Sequence, residues 1–329
     1  MPISYVNFRF RFYENNGKTS SFFPLQGRVD KEGISFEDET LWFVDISRVH
    51  LYHHKLVILL KPFIAIGKRV SDNILKETNC IALDIAEPQD VAFDVKASID
   101  QRLSKMYVQR IEKDLKKDGL QRFFRQSHCP VCDSHIDLSL RKDTPLVYCP
   151  YCLNVFDKHG NILPDTEDYN ICPECGYYNR LRERTEFHFY ALRSERKAHI
   201  KKRYCCDTCS ERDIEENLWK DALYLAALPN LLYQGFRNRR GGNPIYEQLT
   251  LANKYAQDGN FEKAHQIYTV LMLRNDGHPG IHLNYGLAYL KAGDEENAAR
   301  EFQKSLAACS NYQPTLEVLQ EYSSLEIEV

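Results

Sequence analysis

The sequence predicts a multidomain α+β chain, on three observations. The first segment alternates polar and apolar residues. The centre holds cysteines in pairs two residues apart. The last part repeats a pattern every 34 residues. Together they predict an N-terminal antiparallel β-barrel or sandwich ending in a helix, two central cysteine-rich modules, and C-terminal all-α hairpins. The 329 residues suffice for two or three ordinary cores. With 43% hydrophobic and 27% charged residues the chain reads as globular rather than disordered.

In residues 1–87, Tyr5 to Phe12 alternate with the period of a half-buried strand, and Asn15-Asn16-Gly17 signals a turn. Further strands are expected at 22–29, 34–36, 41–46, 49–53, 56–60 and 80–86. A helix is expected over 90–117, with Ile99, Leu103, Met106, Val108, Ile111 and Leu115 on its apolar side and Gly119 as its stop. The runs Gly27-Arg28-Val29, Gly33-Ile34-Ser35-Phe36 and Phe43-Val44-Asp45-Ile46-Ser47-Arg48-Val49 are similar to the strand-turn-strand pattern of pleckstrin-homology-like domains, GRAM-type domains included. The resemblance covers 1–118. It implies a possible membrane-surface role, although residues 1–87 carry 11 basic and 11 acidic residues, which gives little pull toward anionic lipid. An unrelated small β-barrel is the alternative.

Eight of the eleven cysteines form four C-x2-C knuckles: Cys129/Cys132, Cys149/Cys152, Cys172/Cys175 and Cys206/Cys209. Two intervening residues let the backbone turn sharply enough to offer both sulfurs to one tetrahedral ion. The residue after a knuckle often needs an unusual backbone angle, which Gly176 adopts freely. Cys206 is preferred over Cys205 because only Cys206 keeps the two-residue gap to Cys209. Sixteen residues separate the first two knuckles, with Ile136–Leu140 and Val147-Tyr148 as the strands of a hairpin between them, and thirty separate Cys175 from Cys206. Both blocks resemble zinc ribbons, at 127–160 and 170–212, which implies two structural Zn2+ ions. Sequential pairing is favoured over a cross-braced arrangement. Four thiolates close the shell and leave a poor Lewis acid, so neither site is expected to be catalytic. The bland readings are buried free thiols or a redox pair, but no βαβ unit surrounds any knuckle. His128, His135, His159, His188 and His199 are expected to be surface or packing residues rather than ligands.

Residues 176–244 are basic, with 14 Lys and Arg against 9 Asp and Glu, and residues 245–329 are acidic, with 6 against 12. The basic charge centres on the arm 180–203, where Arg182, Arg184, Lys201 and Lys202 are interleaved with aromatics. Such an arm could bind nucleic acid by neutralising phosphates and stacking bases. A solvated hairpin with inward aromatics is the plainer reading.

A helical linker is expected over 213–244. After it, Leu251-Ala252, Tyr255, Gly259, Ala264 and Tyr268 recur as Tyr285-Gly286, Tyr289, Gly293, Ala298 and Phe302, each 34 residues on. Small residues let two helices approach, aromatics fill the gap, and the glycine turns the chain. This pattern resembles tetratricopeptide repeats, covers 245–312 within a block that extends to 329, and predicts a capping helix over 315–322. The resemblance implies a protein- or peptide-binding groove lined by Tyr246, Asn253, Gln257, Asn284 and Lys291. A groove filled by the chain's own terminal helix is the alternative. The carboxylate clamp of some such repeats is not expected, because Leu249 stands where a lysine is needed.

No phosphate-binding glycine loop or nucleophile motif is present in the sequence. The expected function is therefore a non-enzymatic zinc-binding adaptor or scaffold that mediates protein–protein interaction through its repeats. Nucleic-acid binding through the arm and membrane-surface association are the alternatives, and no small-molecule substrate is inferred. The chain shows no secretory signal, and its longest uncharged apolar stretch, Ala222–Gly235, has 14 residues interrupted by Pro229. A cytoplasmic location, where thiols stay reduced, is expected.

Overall fold

The computed structural model describes residues 5–14, 18–52, 54–62, 67–75, 78–163, 169–192, 195–212, 246, 248–275 and 277–325, with the side chains of 69, 183–203 and 323–325 left out. The fold is α+β: an antiparallel sheet, cysteine clusters and an all-helical C-terminal region. The chain divides into two compact units, Met1–Leu140 with Cys149–Cys152, and Arg141–Tyr148 with Leu153–Val329.

The first unit is built on strands β1 (Val6–Phe12), β2 (Leu25–Val29), β3 (Gly33–Phe36), β4 (Glu39–Trp42), β5 (Ile46–Tyr52), β6 (Lys55–Leu60), β7 (Ile74–Leu75) and β8 (Cys80–Ile85). They form one antiparallel sheet in the order β4-β3-β2-β1-β8-β6-β5, with β7 added on β8. Alternation along β1 buries Phe8, Phe10 and Phe12, and Phe10 and Phe12 pack on Phe36 at ring separations of 5.2 and 5.6 Å. Each such ring contributes about 1.5–3 kcal/mol by leaving water. The outward Arg9 and Arg11 meet Glu87 and Asp84. At position 27, opposite Phe8, a Cβ would lie 2.6 Å from the Phe8 ring, so only glycine fits. The strand expected at 22–29 starts at Leu25, because Pro24 cannot donate to a ladder and leaves Phe22 and Phe23 exposed. The strand expected at 41–46 ends in a 3-10 turn, Phe43–Asp45, that starts β5. The short helix α1 (Lys68–Asp72) and β7 were too brief to leave a periodic signal. Helix α2 (Gln89–Lys117) follows the expected bounds within one residue and buries Ala92, Val95 and Ile99 in the sheet's core. The hairpin of β9 (Gln126–His128) and β10 (His135–Asp137) completes this unit.

The second unit contains the hairpin of β11 (Leu146–Tyr148) and β12 (Val155–Asp157). It also contains a three-stranded sheet of β13 (Tyr169–Ile171), β14 (Tyr178–Leu192) and β15 (Glu195–Cys206), and a helical stretch at 207–212. Helices α3 (Leu249–Gln257), α4 (Phe261–Arg274), α5 (Pro279–Lys291), α6 (Glu295–Ala308) and α7 (Gln313–Leu325) follow. The 34-residue period is visible in the backbone. Helices α4 and α6 have 14 residues each and begin at positions 34 apart, after Gly259 and Gly293 with φ of +78° and +80°. Where the pattern asks for a small residue against an aromatic, a Cβ on Gly286 would meet the Phe302 ring at 2.4 Å. Helix α7 caps the stack by packing Val318 and Leu319 on the cluster that holds Phe302. The linker expected over 213–244 lies outside the described residues.

Helix α5 is capped by a histidine. His278 Nδ1 accepts from the N–H groups of Gly280 at 3.1 Å and Ile281 at 3.4 Å. That geometry needs the neutral ring, and burial holds the His278 pKa down at about 4. The unfolded chain therefore takes up this proton first. The contribution of His278 is full above pH about 6.5, is lost as pH falls toward about 4, and totals roughly 3 kcal/mol. His278→Asn keeps a capping acceptor without titrating. Thermal melts between those limits should show a shallower acid loss in that variant, and parallel curves would refute the assignment.

Candidate metal centres

Each knuckle is the turn of a short local structure. The first joins β9 to β10, the second β11 to β12, and the third β13 to β14. The expected hairpin between Ile136–Leu140 and Val147-Tyr148 is therefore corrected. Each of those strands pairs across its own knuckle instead, because two residues between thiolates already reverse the chain. The reversal requires a left-handed residue just after the second cysteine. Asp133 has φ +55°, Leu153 +67° and Gly176 +74°. Only the last of these is a glycine, so two L-residues carry backbone strain of order 1 kcal/mol each. The fourth knuckle differs, since residues 207–210 run straight into a helical turn.

The eight cysteines come together as two groups of four, Cys129/Cys132/Cys149/Cys152 and Cys172/Cys175/Cys206/Cys209, with all sulfurs of a group within 4.8 Å of one another. Sequential pairing and the choice of Cys206 are both what the structure has. Cys205 is buried in the same cluster, opposite Arg182 in the ladder. In the first group Cys129 Sγ lies 3.4 Å from Cys152 Sγ, and Cys132 Sγ 3.6 Å from Cys149 Sγ. In the second, Cys172 and Cys209 are 3.9 Å apart, and Cys175 and Cys206 3.7 Å. These distances are far beyond a disulfide bond. They match the separation of about 3.8 Å that a tetrahedral ion with metal–sulfur bonds near 2.3 Å imposes. Each group could hold one metal ion.

Four sulfurs this close cannot all ionise by themselves. Hydrogen bonds from neighbouring thiols, Cys129 and Cys175 first, hold Cys132 and Cys172 far below the usual thiol range. The same exchange, led by Cys129 and Cys172, pushes Cys149 and Cys209 far above it. A dication removes the conflict by favouring thiolate at all four positions, so binding must release protons and weaken in acid. Backbone N–H groups already point at sulfur: Val131 N to Cys129, Cys206 N to Cys172 and Cys209 N to Cys206, each at 3.4 Å.

Helix α2 supports the first centre. Lys96 Nζ donates to Tyr151 O at 2.6 Å and pairs with buried Asp100. Burial raises the Asp100 pKa to about 6 although Lys96 opposes it. Gln101 Nε2 donates to Asp133 Oδ2 at 2.5 Å, and Ser104 Oγ accepts from His135 N at 3.0 Å. His128 and His135 meet edge to face across the hairpin, with ring centroids 4.3 Å apart, and belong to neither four-residue group.

The second centre is held by the helical repeats. Tyr178 N donates to Asn284 Oδ1 at 2.6 Å. Tyr178 O accepts from Asn284 Nδ2 at 2.6 Å and Asn253 Nδ2 at 3.0 Å. Tyr268 OH fixes Asn253 by donating to its Oδ1 at 2.6 Å. The Tyr178 ring lies against Gly280, where a Cβ would come within 2.6 Å, and joins Tyr169, Tyr246 and His278 in an aromatic cluster. The five residues expected to face a partner are thus engaged within the chain. Asn253 and Asn284 grip the backbone of β14, and Tyr246 packs on Tyr169. Gln257 Oε1 accepts from Arg212 at 2.6 Å, and Lys291 donates to Gln257 O. The occupant is a strand next to a knuckle rather than the terminal helix. An extended strand has a free N–H and C=O to offer, whereas a helix does not. The same device recurs at Tyr148, whose N donates to Asn311 Oδ1 at 3.0 Å and whose O accepts from Asn311 Nδ2 at 2.7 Å. Asn311 and Gly280 carried no motif in the sequence.

Asn284→Ala leaves the buried Tyr178 N–H without its acceptor, at a cost of about 1–3 kcal/mol. Hydrogen exchange at that amide should accelerate, and unchanged protection would contradict the clamp.

Of the arm residues, Arg182 is described, with Nε 3.9 Å from Asp207 Oδ1. The side chains of Arg184, Lys201 and Lys202 lie outside the described residues. The ladder does fix register: Arg182 is opposite Cys205, Arg184 opposite Arg203, Glu186 opposite Lys201, and Thr185 opposite Lys202. Positions 182, 184, 201 and 203 therefore share one side of the ribbon, and Lys202 is assigned to the other. Among the described residues no helix is long and apolar enough to cross a membrane. Comparison with known proteins finds no matching family model, no matching curated protein and no matching solved structure.

Proposed function

We propose that this chain is a non-enzymatic, zinc-binding scaffold protein of a reducing compartment such as the cytoplasm, with two closed structural zinc centres. The observation that carries the reading is the donor set. Four buried or half-buried thiols per group, at 3.4–3.9 Å, fit zinc in size and softness and leave no coordination position for a substrate. The helical hairpins, which resemble tetratricopeptide repeats, hold one of the chain's own strands through Asn253 and Asn284, two of the positions the resemblance assigns to a groove. They support a rigid scaffold, and the partner-binding surfaces lie outside the self-filled positions.

Cobalt substitution tests this. Two equivalents should give the charge-transfer and ligand-field bands of tetrahedral tetrathiolate sites, unchanged by added imidazole or cyanide. A band shift on adding either ligand would reveal an open position and end the structural reading. Metal analysis of the purified, reduced chain should find two zinc ions.

A second reading, nucleic-acid binding by the arm, is favoured by the register that stacks basic positions 182, 184, 201 and 203 along one side. It requires binding of a short single-stranded oligonucleotide that weakens steeply with salt and is lost in Arg182→Glu with Arg184→Glu. No binding at low salt would eliminate it.

A further inference from the structure

A cleft in the first unit, remote in sequence from every cysteine pair, has the makings of a binding site. It has a volume of about 360 Å³ and lies between α2 and the start of β5. Its lining residues are Phe43, Ile46, Leu103, Met106 and Tyr107, with Ser47, Lys61 and Arg110 as the polar members. Phe43 and Ile46 are fully buried and make an apolar floor. Met106 and Tyr107 are 38% and 44% exposed, so the apolar surface continues to the rim. Leu103, Met106, Tyr107 and Arg110 follow the helical spacing that puts residues on one face.

The lining contains two cations and no carboxylate. Lys61 Nζ donates to Val44 O at 2.6 Å, and the Arg110 guanidinium sits 5.7 Å from the Tyr107 ring centroid. Among the described residues neither is paired with an acid. The helix strengthens the bias. From Gln101 to Lys117 it carries Arg102, Lys105, Arg110, Lys113, Lys116 and Lys117 against Glu112 and Asp114. An apolar floor with a cationic mouth selects an apolar group flanked by negative charge.

We propose that this cleft docks an acidic peptide segment of a partner protein, with one bulky apolar side chain seated on Phe43, Ile46 and Leu103 and its flanking carboxylates facing Lys61 and Arg110. A lipid surface is the weaker fit, since a headgroup would leave the apolar floor empty. No cleft residue belongs to a metal centre, so this proposal and the zinc reading fail separately.

The test uses the full-length chain and an array of short peptides. Each peptide carries one central Leu, Phe, Met or Trp flanked by acidic, neutral or basic residues. Binding should concentrate in the acidic, apolar-centred members. It should weaken about tenfold in Arg110→Glu and in Lys61→Glu, both at exposed positions with circular dichroism expected unchanged. The double charge reversal should shift preference to basic-flanked peptides. The proposal is overturned if no member binds, if binding survives both reversals, or if anionic vesicles bind with the same dependence on the two cations while peptides do not.

Discussion

Stripping the ion from the second centre, by a strong chelator or by Cys172→Ser, should unfold residues 169–212 and leave the helical signal of α3 to α7 largely in place. A structural zinc site contributes on the order of 10–16 kcal/mol at neutral pH, as much as the whole stability of an ordinary small unit. Apart from the clamp on Tyr178, its aromatic neighbours and the Arg180–Asp207 pair, coordination is the main tie across this part. The buried apolar cluster around the centre consists of Leu181 and cysteines. The knuckle also fixes Tyr178 in place, since Cys172 N donates to Tyr177 O at 2.9 Å and Gly176 N to Cys172 O at 2.9 Å. Hydrogen exchange with mass spectrometry should show deprotection of 169–182, with α4 and α6 still protected. Exchange that ignores the chelator would mean the fold does not depend on coordination. The expected acid dependence has the same origin. Protonation at the four thiols competes with the ion, so metal retention must fall as pH falls.

The metal ligands were legible because their signal is local. A C-x2-C knuckle imposes its geometry within four residues, and the gap from Cys206 to Cys209 selects one cysteine of an adjacent pair without any knowledge of the fold. The helical hairpins were legible because glycines and aromatics recur at a fixed period. The first strand was legible for the same reason, with Phe8, Phe10 and Phe12 facing inward. What escaped is long-range. The grip of Asn284 on Tyr178 spans 106 residues, and that of Asn311 on Tyr148 spans 163. An asparagine on a helix face looks the same whether it awaits a partner or holds the chain's own strand. Gly280 was the one trace, and a glycine at the start of a helix has many explanations. The hairpins around the knuckles were missed for a different reason. The strand segments show in the sequence, but an alternating run does not say whether it pairs across the long loop or across the short turn that the cysteines themselves make.

The buried ion pair of Arg180 and Asp207 should prove the most sensitive side-chain contact outside the thiols. Asp207 lies inside the fourth knuckle, and both partners are buried. Arg180 donates to its Oδ2 from Nη2 at 2.6 Å and from Nε at 3.2 Å. Asp207→Asn takes the carboxylate from a guanidinium that stays buried, and breaking such a pair costs about 3–5 kcal/mol. The electrostatics of the centre add a second, separable effect. Four thiolates around a dication leave a net charge of about −2. Asp207 adds to that charge, while Arg180 and Arg182 oppose it. Asp207→Asn should therefore lower the melting temperature without weakening metal retention against a chelator, and Arg180→Met should lower both. If the two variants lost metal equally, the pair would act through folding alone. A double replacement, Arg180→Met with Asp207→Leu, separates the two contributions further. It removes the buried charge pair together, so stability should recover toward the parent, and because the two lost charges cancel, the net charge around the centre is that of the parent and metal retention should recover with it. Faster metal loss in Arg180→Met that is reversed in the double replacement is the outcome that assigns the ion pair to tuning the centre as well as to holding the strand.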